Sequence, residues 1–426
     1  MTAALRRLRP WMVAALTMAL LVAGSVAWLQ ARPIEPVNIL MPAPFADATQ
    51  PLVQRFNQEH RGRIRLTVTR GPLETEAISD LAISSLLLGD TPFDALLMDV
   101  TWMPKYVAAD WLQPLDPWFG PEAMEALAEG VRAGNSVNDV LYRWPLVASM
   151  GLLYWRTDLI EQPPRTPQEL VTISRQLQAD GRVPWGYVWE GRQYEGLSCV
   201  FLELVHGFGG FWFHPDQVAV GLNQPQAIAA AAWLRQLISE GISPEAVTNY
   251  AEPEALQSFK AGDAAFMRNW PYAWAELQQP DSAVRGRVGI TTMVANSGDP
   301  STATLGSWGL SMLRGSAHPE ATATAIRYLS STESQKALFL SHGYTPTAAS
   351  LYRDPELIAM NPILPQLEEA LKHALPRPET PLYAQISDVL QRDLSASLTA
   401  QQSAAQGMER ANASTEAILR SAGETL

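Results

Sequence analysis

Cysteine is nearly absent: the 426 residues hold one, Cys199. A lone thiol excludes an intramolecular disulfide and any multi-cysteine zinc or iron–sulfur site. Basic residues are also scarce, 31 against 43 acidic, for a formal net charge of −12. A nucleic-acid binder needs a basic face to meet phosphates, so that class drops out. Catalytic signatures are missing too. There is no Gly-x-Ser-x-Gly elbow, Ser-x-x-Lys pair, catalytic-cysteine motif or Gly-x-x-x-x-Gly-Lys phosphate loop. Gly207–Gly210 lacks the flanking strand and helix of a dinucleotide site. The histidines (His60, His206, His214, His318, His342 and His373) form no His-x-x-x-His pair and have no cysteine partner. No metal and no cofactor are expected. Internal repeats and low-complexity tracts are absent as well.

What is present is a large apolar fraction, 47%, with 14 Trp exceeding 11 Phe and 11 Tyr. The length suggests two or three domains. Arg6, Arg7 and Arg9 precede an uncharged apolar run from Trp11 to Leu29. This reads as an export signal, or an N-terminal anchor, over residues 1–31. Ser25-Val26-Ala27 offers a small-x-small cleavage site, and cleavage takes the net charge to −15 by removing three arginines and no acid. The protein is thus expected to be exported, either free in the periplasm or tethered to the outer face of the cytoplasmic membrane.

From Val37 onward, short apolar runs alternate with amphipathic helical windows, the pattern of an α/β protein. Val37–Met41, Ile64–Val68, Ala95–Met98, Gly151–Arg156, Trp185–Trp189, Ala264–Arg268, Arg287–Thr291 and Leu310–Leu313 read as strands. Helices are expected over Gln50–His60, Leu73–Leu88 and Gln226–Ser239, after Thr166-Pro167-Gln168-Glu169 and His318-Pro319-Glu320, and throughout the region following Asn361. The arrangement expected is two lobes with chain crossings near Pro145, Ala303 and Tyr344. Lobe 1 takes residues 36–145 plus 303–345, and lobe 2 takes 146–302 plus 346–426.

Paired carboxylates could make an exported glycoside hydrolase, but 43 acids make their presence uninformative. Aromatic residues at strand ends say more. Asp99 follows a buried strand, and ligands of α/β sheets bind beyond the carboxyl ends of strands. Trp270 follows another strand, and Trp308 is expected in a glycine-flanked turn. Sugars present apolar C–H faces that stack on tryptophan, while their hydroxyls need planar donors and acceptors. Trp111, Trp118 and Trp233 are expected in the core, with Trp102, Trp189 and Trp274 at the cleft edge or just behind it.

Six segments carry a family resemblance: Leu97–Trp102, Gly151–Arg156, Val188–Leu197, Arg268–Trp274, Thr304–Trp308 and Pro376–Pro378. With these, the chain resembles the extracellular solute-binding proteins of carbohydrate ABC importers, most closely the trehalose/maltose-binding branch. The resemblance implies a two-lobed, periplasmic binding protein-like fold of type II, each lobe a sheet flanked by helices, with a hinge between them. It also implies a monomer that captures a small carbohydrate and works with ABC permease subunits in the inner membrane. It assigns Asp99, Tyr272 and Arg377 to sugar hydroxyls, Trp270 and Trp308 to stacking, and Gly306 and Ser307 to backbone contacts. Arg70 falls where the family often has a sugar-contacting arginine, and Tyr194-Glu195-Gly196 matches a signature near the cleft. Two departures stand out. Val147-Ala148-Ser149 replaces a Tyr/Asp crossing segment, and Phe45-Ala46 replaces Asn-Glu, leaving Ser149 and Asp47 as the nearby polar residues. The ligand implied is a glucoside or disaccharide, either trehalose, maltose or sucrose or one pyranose with a smaller group, as in glucosylglycerol.

Overall fold

The computed structural model describes residues 17–18, 33–89, 91–214, 219–298 and 303–423. The expected export segment lies almost wholly outside these. Among the described residues, no helix is long and apolar enough to cross a membrane.

The chain opens with β1 (Glu35–Met41), α1 (Ala43–Glu59), β2 (Ile64–Arg70), α2 (Thr75–Leu87) and β3 (Ala95–Asp99). β1 runs parallel to both β2 and β3. All five residues of β3 are buried, as expected for a strand covered on both faces. α1 begins seven residues before the expected Gln50 and runs through Pro51. Pro51 forfeits one backbone hydrogen bond. Burial of Leu52, Val53 and Phe56 in the core offsets that loss.

A small hairpin, β4 (Ser136–Val137) and β5 (Val140–Leu141), precedes β6 (Trp144–Met150) and β7 (Leu152–Arg156). Next come α3 (Pro167–Ala179), β8 (Trp185–Val188), α4 (Glu195–Gly207), the short β9 (Phe213–His214) and β10 (Ala219–Val220), and α5 (Pro225–Ser239). α3 starts in a full capping box. Thr166 Oγ1 accepts from the Glu169 amide, and Glu169 returns a carboxylate oxygen to the Thr166 amide. α6 (Glu252–Lys260), β11 (Ala264–Asn269) and β12 (Val288–Thr291) follow, then β13 (Ala303–Met312), α7 (Pro319–Leu329), α8 (Leu364–Lys372), β14 (Ala374–Leu375), α9 (Tyr383–Leu398) and α10 (Ala404–Ser421).

Two main sheets define the two lobes. One has the order β14-β13-β3-β1-β2, with β6 also on β13; the other runs β12-β7-β11-β8. β13 holds the first sheet together, pairing antiparallel to β3 and β6 and parallel to β14. β6 therefore carries the first sheet to Met150, past the expected crossing at 145, and the chain enters the second sheet at Leu152. Trp308 is not in a turn but sits mid-strand in β13, opposite Asp99. The glycines beside it belong to close packing. A Cβ at Gly309 would come within 2.7 Å of the Arg143 side chain.

Tryptophan fills the second lobe. Trp189 and Trp212 are fully buried there, so Trp189 is a core residue and not a cleft-edge one. Trp233 is buried as expected, while Trp111 and Trp118 are only half-buried. Cys199 is buried within α4, and desolvation pushes its thiol pKa well above the usual value.

Candidate functional site

A chain of alternating charges links the lobes where their elements meet. Asp99, at the end of β3, accepts from the Thr101 amide at 2.9 Å and the Thr101 hydroxyl at 2.8 Å. Its carboxylate also takes Arg377 Nη2 at 2.7 and 2.9 Å. Arg377 lies between β14 of the first sheet and α9 of the second lobe, and donates from Nη1 to Glu195 at 2.7 Å. Glu195 opens α4 and accepts from the hydroxyls of Tyr383 and Ser387 on α9. Asp99 and Arg377 are buried, and the Glu195 side chain is nearly so. Burial opposes the charge on Arg377, but the carboxylates beside it hold its pKa well above the usual value.

Behind Asp99, Arg143 is fully buried and donates to Asn135 Oδ1 at 2.6 Å and Ser307 Oγ at 2.8 Å. Burial lowers its pKa to about 9, with Asp99 opposing. The Ser307 side chain is thereby engaged, and its backbone lies in β13.

Two further contacts join the lobes. Glu76, on α2, accepts the Glu195 amide at 3.1 Å, and Glu74 pairs with Arg192 at 3.2 Å. No side chain of its own segment caps α4, so Glu76 satisfies an N-terminal donor of that helix from the opposite lobe. Burial raises the pKa of Glu76, and the nearby Glu195 adds to the effect.

Trp270 follows β11 and is half-buried. Its amide donates to Asn269 Oδ1 and its carbonyl accepts the Tyr154 hydroxyl, both at 2.8 Å. Arg268 lies over the indole, with Cζ 4.1 Å from the ring centroid. The ring reaches β13, because a Cβ on Gly306 would come within 2.8 Å of it. Only glycine allows this approach. Beneath the ring, Arg268 bonds to Glu203 at two points, one of them Nε to Oε2 at 3.0 Å, and to Glu190 at 3.2 Å. All three side chains are fully buried. Desolvation pushes Glu190 up to about 8, and its Oε2 has no hydrogen-bond partner.

The first lobe presents an aromatic wall. Trp308, half-buried, packs edge-on to Trp102 with centroids 5.6 Å apart, and lies 5.3 Å from Phe45. Phe45 in turn packs on Tyr344 at 4.8 Å. Ser149 is half-buried and opposite Gly306 in register. Tyr272 is half-buried, and desolvation raises its pKa well above the usual value.

Of the residues expected at the site, the structure brings together Asp99 with Arg377, Asp99 with Trp308, and Gly306 with Trp270 and Ser149. Arg70 and Asp47 pair with each other at 3.0 Å and are largely exposed. Among the described residues, neither makes a hydrogen bond or ion pair to the Asp99–Arg377 group. Glu76 and Tyr344 carry no motif that would single them out.

A model of the bacterial extracellular solute-binding protein family matches residues 42–336. A probable ABC transporter-binding protein of Deinococcus radiodurans is 33% identical over 329 residues, covering 74% of this chain and 78% of that protein. The maltotriose-binding protein of Pyrococcus abyssi is 21% identical, covering 66% and 60% respectively. A maltose-bound T. maritima MalE3 structure superposes with a TM-score of 0.83 at 30% identity, covering 90% of this chain and all of that one.

Proposed function

The chain belongs to the bacterial extracellular solute-binding protein family, and from that premise we propose that it captures a glucoside or disaccharide in the interlobe cleft for delivery to its permease. Members of this family are exported, bind small solutes and work with ABC permeases, and the sugar-binding relatives make this chain the substrate-binding component of a sugar importer. The family and its structural neighbours are binding proteins, so the hydrolase alternative is set aside. We take the protein to be a monomer, in the periplasm or tethered to the outer face of the membrane.

One observation carries the sugar reading. Two half-buried indoles come from the two lobes: Trp270 packs against Gly306 of β13, and Trp308, two residues further along β13, lies opposite Asp99 of the buried ion pair with Arg377. In this reading the lobes follow the two main sheets, with the first crossing at Met150–Leu152 and β14 (Ala374–Leu375) returning to the first sheet. Ligand bridges them and shifts the population toward closure. Relatives are named for maltotriose and for mannitol, and the T. maritima neighbour is maltose-bound. The aromatic wall of Phe45, Trp308 and Tyr344 favours a ligand with one full pyranose and a less polar or smaller remainder, of the glucosylglycerol type. A buried hydroxyl left unpaired costs about 1–3 kcal/mol, and Val147-Ala148-Ser149 offers few partners to a second ring.

Thermal shift against glucosylglycerol, trehalose, maltose, sucrose and mannitol tests this. Ligand at 100 times its Kd stabilises by about 2.7 kcal/mol, so the true ligand shifts the melting curve plainly. Stabilisation by trehalose with none by glucosylglycerol refutes the ligand assignment. Stabilisation by no sugar refutes the transport reading.

A further inference from the structure

Trp270 is held more tightly than a stacking platform on a surface loop would be. Asn269 and Tyr154 fix its backbone, and Arg268 covers one face of the indole. The remaining freedom is rotation of the ring about its side-chain bonds, and one contact opposes it. Trp270 Nε1 donates to Glu252 Oε1 at 3.2 Å. Glu252 is the first residue of α6, and its carbonyl accepts Asn269 Nδ2 at 3.1 Å, so both ends of the contact are anchored to each other. The start of α6 does not depend on this carboxylate, because Glu254 satisfies the Ala251 amide at 2.9 Å. Tyr194 and Tyr272 both feel the charge of Glu252, which raises their hydroxyl pKa beyond the effect of burial.

We propose that Glu252 is a positioning residue for sugar binding: its carboxylate locks the indole of Trp270 so that the face not covered by Arg268 is offered to the apolar side of a sugar ring. This rests on the sugar-binding reading. An indole free to rotate must be ordered when ligand arrives, and that ordering lowers affinity. Glutamine preserves an acceptor oxygen for Nε1–H; alanine does not.

The test is a double-mutant cycle read by calorimetry with the sugar that stabilises the wild type, together with the indole N–H resonance of Trp270. Glu252→Ala should weaken binding roughly tenfold, move the Trp270 indole resonance and speed its hydrogen exchange. Glu252→Gln should keep both near wild type. In a Trp270→Phe background, which lacks the N–H, Glu252→Ala should cost nothing further. Glu252→Ser replaces alanine in every arm if the alanine variant does not fold. Equal losses in the wild-type and Trp270→Phe backgrounds would overturn the proposal, as would wild-type affinity in Glu252→Ala. If no sugar binds the wild type, the transport reading itself fails and takes this proposal with it; failure of Glu252 alone leaves wild-type binding intact.

Discussion

Replacing Arg377 by methionine removes the cation that joins Asp99 to Glu195 while keeping much of its apolar stem. The wild-type guanidinium makes three short charged hydrogen bonds, two at 2.7 Å and one at 2.9 Å, with only 3% of the residue exposed. Removing one partner of a buried ion pair costs about 3–5 kcal/mol because a buried charge is left uncompensated. Here two carboxylates are left, but each retains donors: Thr101 for Asp99, and Tyr383 and Ser387 for Glu195. That keeps the expected loss at pH 7 toward the lower end, about 3 kcal/mol. The pH dependence identifies the cause. Without Arg377 the carboxylates keep their burial but lose their counter-charge, and protonation relieves that cost. Stability lost at pH 7 then returns as pH falls toward 5, at up to about 1.4 kcal/mol per unit for each such group. Urea unfolding of the ligand-free variant at the two pH values measures this. Adding Asp99→Asn, which removes one stranded charge, should recover part of the loss at pH 7. A loss below about 1 kcal/mol, or one equal at both pH values, would show that the bridge is not a buried charge pair in solution.

Gly306→Ala puts a methyl within 2.8 Å of the Trp270 ring. Overpacking of this kind costs about 1–3 kcal/mol, and calorimetry should show weaker sugar binding, with unchanged affinity counting against the Trp270–β13 contact. Glu190, held at about 8 by burial, keeps a proton that the unfolded chain releases near 4.5. Stability should therefore decline as pH rises between those values, and Glu190→Gln should flatten that slope in melting curves; identical slopes would show that Glu190 is ionised in the fold.

Much of the fold is legible in the sequence because it rests on local pattern. The apolar run of β3, the capping box at Thr166 and the Pro-initiated α5 and α7 each announce themselves within a few residues. Trp308 reads wrongly as a turn residue because Gly306 and Gly309 flank it, whereas their missing side chains make room for Trp270 and Arg143. Those constraints come from distant parts of the chain. How the residues named from the sequence are wired to one another is not legible in it. Arg377 and Asp99 are 278 positions apart, and no spacing rule shows that they satisfy each other. Glu252 lies 18 positions before the indole it holds and carries no motif. Likewise, that Glu76 would cap a helix of the opposite lobe follows only from tertiary geometry.

The buried Cys199 has a practical consequence. It is the protein's one cysteine, and its thiol is sealed inside α4 with its ionisation suppressed. The thiolate is the reactive form, so alkylating dyes meet no competing nucleophile in the native state. Any cysteine introduced at the surface becomes the sole labelling point. Leu73 and Gln193 are exposed neighbours of Glu74 and Arg192, which pair across the lobes. A dye pair at these two positions would show whether a sugar changes the distance between the lobes, with no background thiol to remove.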